Sequence, residues 1–253
     1  MNFLREIWRV GLTALFFVFF ALGGVILAYV VLPVFLFLSR NQEAEKYKAQ
    51  YAIHQMFRFM IYMLQSLGLI NFTFKNFEQL KEDQGCLFIA NHPTLIDYVA
   101  IISKLPRCDN LVKESLWKNR FIKRIISKAD YIPNQESTTI IERIKATLNE
   151  GNNLLMFPEG TRTIPGETIT LKRGAAQLAI RANAPIRLIH ISCKPPFLTK
   201  QTKWYQLPFE KPQFTLRVVE RIEPGDYLIK TGFPSLAARE LTRDLEKHLR
   251  GEN

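Results

Sequence analysis

The chain reads as an α/β protein: a layered, mostly parallel central sheet flanked by helices, preceded by an N-terminal membrane-anchoring helical segment. Three observations predict this. Short uncharged runs alternate with amphipathic stretches, the pattern of a layered sheet-and-helix domain. Two of the runs, Leu87–Ala90 and Leu154–Phe157, end abruptly in polar turns, as strands covered on both faces do. The thirty residues between Arg9 and Arg40 carry no charge at all.

The elements follow in order. Leu12 to Leu38 is rich in Phe, Leu and Val and exceeds the roughly 20 residues that cross a bilayer. A secretory signal has a shorter apolar core of roughly 7–15 residues, and no clear cleavage site precedes Arg40. The length permits a tilted span, or a re-entrant pair of helices bending near Gly23-Gly24 or Pro33. Arg5 and Arg9 flank one end and Arg40, Lys46 and Lys48 the other, so flanking charge does not orient the segment. Glu43 to Ile70 predicts a second helix, apolar nearly all round from Met56 to Leu64 apart from Arg58. A boundary at residue 74 makes 1–74 the anchoring helices and 75–253 the α/β domain.

Beyond the boundary, Cys86–Ala90 predicts a strand and Pro93–Lys104 a helix, with Pro93 at its first position. Leu111–Lys113 and Tyr131-Ile132 are short strands, with the amphipathic Phe121–Ser127 between them. Ser137 caps a helix that sets Ile140, Ile141, Ile144 and Leu148 on one face. Leu154–Phe157 is a buried strand, Arg173–Asn183 a helix, and Ile186–Ser192 and Phe214–Val219 strands. Ser235 opens a final helix running to Leu249.

Of the formal charge of +11, residues 75–253 carry +8, and much of that sits in one place. Lys113, Lys118, Arg120, Lys123, Arg124 and Lys128 face only Glu114, with Trp117 and Phe121 interleaved. Basic plus aromatic residues suit nucleic acid. Beside an apolar anchor they fit anionic headgroups, where each basic residue is worth about 1 kcal/mol. The segment is therefore assigned to membrane lipids and no nucleic acid. Cys86, Cys108 and Cys193 are odd in number and widely spaced, as reduced thiols of a cytosolic compartment are. No Cys/His/Asp/Glu set has metal-ligand spacing, so no metal is expected.

Two polar clusters carry the chemistry. Asn91 and His92 end the first buried run, placing His92 at the carboxyl end of a strand and Asp97 one turn into the next helix. Such strand ends are where α/β proteins build sites. A neutral imidazole takes a proton from an alcohol near neutral pH, and a carboxylate on its other nitrogen fixes the tautomer. A helix cap or a surface pair is the plain alternative. In the second cluster, Leu154-Leu-Met-Phe-Pro-Glu-Gly-Thr-Arg162, Gly160 lets a ligand approach the backbone. Thr161 and Arg162 add a hydroxyl and a guanidinium fork suited to phosphate.

Asn91-His92-Pro93-Thr94-Leu95-Ile96-Asp97 resembles the His-x4-Asp motif of the glycerolipid acyltransferases, and Phe157-Pro158-Glu159-Gly160-Thr161-Arg162 resembles their phosphate-binding motif. The bacterial 1-acylglycerol-3-phosphate acyltransferases are the nearest branch, and the similar stretch covers roughly residues 75–220. The resemblance implies transfer of a fatty acyl group from a carrier thioester to a lysolipid hydroxyl. His92 is then the general base, Asp97 its orienting partner, and Glu159, Gly160, Thr161 and Arg162 the lining of the acceptor's phosphate pocket. Lys172 and Gly174 resemble the Lys-x-Gly that follows this motif, and Pro185-Ile186 the family's last short motif, which helps form the acyl site. Asn91 and Lys113 stand beside them as supporting residues, Lys113 as a candidate oxyanion donor. No bound cofactor is implied; acyl-CoA or acyl carrier protein is the donor substrate, and acyl carrier protein a candidate partner of the basic segment. The expected location is the inner (cytoplasmic) membrane, with the catalytic domain facing the cytoplasm.

One element departs from the family pattern. Many members carry an aromatic-Ile/Leu-x-Arg element between the two motifs, and here the matching stretch is Tyr131-Ile132-Pro133-Asn134, with Asn134 in place of Arg. Lys113 or Arg124 could compensate. The most direct expectation is conversion of 1-acyl-glycerol-3-phosphate to phosphatidic acid. Two alternatives fit the same residues: a carrier-protein-dependent acyltransferase with a non-glycerolipid acceptor, and a non-catalytic module binding anionic lipid.

Overall fold

Pro33 shapes the first element. It has no N–H to return to the carbonyl four residues back. The turn just before it, Leu27–Val31, winds as a π-helix, with the Leu32 N–H reaching back to the Leu27 carbonyl. This turn joins α1 (Asn2–Ile26) to α2 (Leu32–Phe37), and α1 runs unbroken through Gly23-Gly24. The computed structural model describes residues 2–135 and 137–250. The chain turns at Leu38–Asn41, Asn41 caps α3 (Gln42–Ser66) by accepting the Ala44 N–H at 2.8 Å, and α3 packs along α1 and α2. Phe16, Leu27, Ala28 and Leu32 are buried on the inner side, while Trp8, Leu22, Ile26, Val30 and Phe37 on the outer side are each more than half exposed. The segment is apolar on both faces, with protein against only one of them.

Seven strands among the described residues form one sheet, in the order β1-β7-β6-β2-β5-β3-β4. They are β1 (Asn71–Lys75), β2 (Leu87–Ala90), β3 (Asp109–Lys113), β4 (Ile132–Asn134), β5 (Leu154–Met156), β6 (Ile186–Lys194) and β7 (Gln213–Ile222). β2 to β6 run parallel; β7 is antiparallel to β6 and carries β1 parallel to itself, so these two oppose the rest. The remaining helices are α4 (Asp97–Ile102), α5 (Glu114–Trp117), α6 (Arg120–Lys128), α7 (Thr138–Asn149), α8 (Gly174–Ala182), α9 (Pro224–Thr231) and α10 (Pro234–Arg250).

β2 shows why the central strands are uncharged. Phe88 and Ala90 enter one apolar core, with α1, α3 and α4, while Leu87 and Ile89 enter the other, with α8 and α10. Alternate side chains go to opposite faces, and both faces are covered. The first core runs from Phe16 and Leu32 through Ile53 and Met60 to Leu216, so the N-terminal helices and the sheet share it. β1 spans the boundary drawn at residue 74, because Phe72 is buried against Phe214, with ring centroids 5.1 Å apart. At the amino-terminal edge of the sheet, buried Asp109 accepts from Lys46 at 2.7 Å and Gln50 at 2.9 Å, pinning the start of α3 to β3. β1 and α9 were not expected from the sequence, whereas α6, α7, α8 and α10 lie close to where it puts them.

Candidate active site

β2 and β5 are hydrogen-bonded neighbours, with Leu87 opposite Leu154 and Ile89 opposite Met156. Their turns therefore leave the same carboxyl edge side by side, which brings residues 67 apart in sequence into contact. His92 and Asp97 meet with Nδ1 2.7 Å from Oδ2, the imidazole partly exposed and the carboxyl fully buried. Oδ2 also accepts the Thr94 N–H at 2.7 Å, and Oδ1 the Thr94 hydroxyl at 2.5 Å. Burial pushes the Asp97 carboxyl above the usual carboxylate range, opposed by its hydrogen bonds to His92 and Thr94. An anionic acceptor at Nδ1 leaves the proton there and the lone pair on Nε2.

This arrangement corrects the expected helix start. α4 begins at Asp97, not at Pro93, and Asp97 is its first residue rather than one turn in. Thr94 and Asp97 spend their polar atoms on each other in the manner of a capping box, holding residues 94–96 as a tight turn. Asn91, also buried, locks the strand end: its amide donates to the Ile191 carbonyl at 2.8 Å and accepts the Ile191 N–H at 2.6 Å.

The resemblance puts Glu159 in the lining of the phosphate pocket; here its carboxylate turns inward, Oε1 accepting the His92 backbone N–H at 2.7 Å and Oε2 taking the Thr163 hydroxyl. The Thr163 N–H in turn donates to the His92 carbonyl at 3.0 Å. Like charge keeps a carboxylate away from an anionic ligand; here it braces the backbone that carries His92. The Phe157 ring lies 4.5 Å from the imidazole.

The exposed rim of the turn belongs to Gly160 and Thr161, with Arg162 and Lys172 beside them. Gly160 sits at φ +73°, a left-handed conformation that favours glycine, and the end of the Lys172 side chain lies directly over it, within 2.9 Å of where a Cβ would stand. Arg162 Nη1 donates to the carbonyls of Leu198 and Thr199, at 3.2 and 3.1 Å. Lys113 is exposed at the end of β3 and stands in register with Asn134 on β4. A cation thus lies next to the position where the family pattern has its Arg. Gly174 opens α8 behind Lys172. Pro185-Ile186 is not brought to this edge: Ile186 pairs with Leu87 at the amino-terminal end of the sheet.

The mechanism uses none of the thiols. Cys86 is buried at the opposite edge, its thiol pushed up to about 12 mainly by burial, and burial raises Cys193 to about 11. No group of three or more His, Cys, Asp or Glu among the described residues is placed to hold a metal. Thr94, Thr163 and the 198–199 carbonyls were missed by sequence reasoning. Only Thr94 had a signal, the Thr-x-x-Asp spacing.

Burial pushes the Glu159 carboxyl up to about 7, against the His92 N–H bond that lowers it. A carboxyl raised above its ordinary value weakens the fold once ionised, so the penalty builds as pH climbs from the unfolded value towards 7 and is absent below both. Glutamine can keep both contacts, its carbonyl on the His92 N–H and its amide on the Thr163 hydroxyl. Glu159→Gln is therefore expected to be more stable than the parent by on the order of 2 kcal/mol at about pH 8, and no more stable at about pH 4. Denaturant midpoints at the two pH values measure this, and a gain independent of pH would contradict it.

An acyltransferase family model matches residues 71–192, the stretch that holds both turns. The chain is 26% identical over 174 residues to human 1-acyl-sn-glycerol-3-phosphate acyltransferase beta, covering 66% of this chain and 61% of that protein. Against the human alpha enzyme it is 26% identical over 221 residues, covering 84% and 73%. The fold is shared with the crystal structure of the 1-acyl-sn-glycerophosphate (LPA) acyltransferase PlsC from Thermotoga maritima, at TM-score 0.75 and 20% identity over 98% of this chain and 97% of that one. The chain is thus similar to acyltransferases over the stretch that holds both motifs, and it spans about three fifths of the human beta enzyme.

Proposed function

We propose that the chain is a membrane-associated O-acyltransferase that moves a fatty acyl group from acyl-CoA or acyl carrier protein to the free hydroxyl of a phosphorylated lysolipid, 1-acyl-glycerol-3-phosphate first among them. The observation that carries this is the 2.7 Å contact of His92 with Asp97 on the same sheet edge as the Gly160–Arg162 turn. His92 Nε2 takes the proton of the acceptor hydroxyl. The oxygen attacks the thioester carbonyl, a C–O bond forms, and the resulting oxyanion is stabilised by donors such as Lys113. Collapse breaks the C–S bond, and the imidazolium returns its proton to the departing thiolate. Asp97 stabilises that imidazolium. Arg162 and Lys172, with the backbone at Gly160 and Thr161, hold the acceptor's phosphate.

The exposed apolar side of α1 and α2 supports the membrane part of the reading. Exposed Phe59 and Tyr62 on α3 and Phe121 on α6 extend it. Tyr29 on the π-helical turn packs against Phe121 at 5.9 Å, with Arg124 5.0 Å from its ring. The basic helix therefore lies against the apolar one, as an element seated at a leaflet surface beside anionic headgroups does. A lipid-facing helix also shelters the acyl chain, since each methylene left in water costs about 0.8 kcal/mol. We place the protein at the inner membrane, facing the cytoplasm.

The test is an acyl transfer assay on detergent-solubilised protein. It pairs both donor types with lysophosphatidate, other lysophospholipids and uncharged monoacylglycerol, and reads products by mass spectrometry. Lysophosphatidate turnover is expected, with Arg162 and Lys172 holding the phosphate although Asn134 replaces Arg. Turnover of another acceptor alone would move the substrate and keep the chemistry; turnover of none would overturn the reading.

A further inference from the structure

The segment between β6 and β7, residues 195–212, crosses the active-site edge as a strap, and it contacts both site motifs. The Leu198 carbonyl accepts the Leu95 N–H at 2.9 Å, from the His92–Asp97 turn, and also Arg162 Nη1 at 3.2 Å. The Thr199 carbonyl takes the same Nη1 at 3.1 Å. Phe197, Leu198 and Thr199 are buried, and Leu198 is held at φ +53°, a left-handed conformation that a leucine adopts only when its surroundings impose it. The strap's other end is tied to α1. Arg9 Nη1 donates to the carbonyls of Pro208 and Phe209, at 2.8 and 3.1 Å, and the Trp204 ring packs edge-on to Phe17 at 6.0 Å.

From this continuity we infer that the strap is a positioning element for the acceptor site. Through it, Arg9 and Phe17 on the N-terminal helix fix the two carbonyls that orient the Arg162 guanidinium towards the acceptor's phosphate. The helix then does more than anchor the chain. Its seating against the strap sets where the phosphate-binding fork points, while His92 and Asp97 have further holds of their own in Thr94 and Glu159, besides the strap's contact to Leu95. The inference rests on the proposed role of Arg162 and adds residues that neither motif contains.

A double-mutant cycle on the detergent-solubilised full chain tests it. Equilibrium binding is measured by titration with 1-oleoyl-lysophosphatidate and, as the phosphate-free comparison, 1-oleoylglycerol. Arg9→Met keeps the stem and removes the donors; Trp204→Ala is the second variant, cutting the other tie from an exposed position. Each is expected to weaken lysophosphatidate binding about tenfold and to leave 1-oleoylglycerol within twofold. Combined with Arg162→Ala, neither is expected to weaken binding further, because its effect passes through that side chain. Unchanged binding in both single variants, or the same loss with and without Arg162, overturns the inference while the function reading stands. A parent protein that binds the two ligands equally well overturns the phosphate-site reading, and the inference with it.

Discussion

His92→Ala is expected to lower acyl transfer by about a hundredfold to ten-thousandfold and to leave the fold intact. General-base assistance is worth about 10²–10⁴ in rate. Neither neighbouring carboxyl can supply it, because Asp97 is fully buried and Glu159 is turned onto backbone. The fold should survive because the contacts that tie His92 to the second motif are made by its main chain: the N–H to Glu159 and the carbonyl to the Thr163 N–H. Alanine keeps both. What is lost is a partly exposed ring lying 4.5 Å from Phe157. The variant should also bind lysophosphatidate within about twofold of the parent, since the phosphate contacts lie on a different turn. Product formation by mass spectrometry, with binding measured alongside, separates the two effects. Near-normal turnover would sink the proposed mechanism.

The parts of this site legible in the sequence share one physical cause. A strand covered on both faces has no place for a charge, so Leu87–Ala90 and Leu154–Met156 stand out, and the polar residues that end them are visible by contrast. Side-chain direction was not legible. Glu159 sits in a motif that resembles a phosphate site, and only the coordinates turn it inward onto His92. The start of α4 was misplaced because Pro93 suits a first helical position in general, whereas here Thr94 and Asp97 are spent on each other. β1 was hidden because Asn71–Lys75 follows a long apolar helix directly and pairs with β7, 142 residues further along. The strap had no signal at all. Its part in the site is played by the carbonyls of Leu198 and Thr199, and a carbonyl carries no information about the residue that bears it.

Asp97→Asn should cost about two to three orders of magnitude in rate at little cost in stability, and the contrast with Asp97→Ala shows why. Oδ2 receives both His92 Nδ1 and the Thr94 N–H, so an asparagine carbonyl must take that place. The amide nitrogen then falls at Oδ1, opposite the Thr94 hydroxyl, which can rotate from donor to acceptor. Every contact keeps a partner, and His92 keeps its proton on Nδ1. The amide is also neutral, which removes the burial penalty that raises the Asp97 carboxyl. Only the negative charge beside the developing imidazolium is lost, and a charge-assisted hydrogen bond in a buried site accounts for about 3–4 kcal/mol of barrier. Alanine instead strands the buried Thr94 N–H, at about 1–3 kcal/mol of stability, and frees the imidazole to rotate. Rate and denaturant midpoint measured together on the two variants separate charge from scaffold. If asparagine retained more than a tenth of the parent rate, the carboxylate would be no more than a helix cap and His92 would act without it.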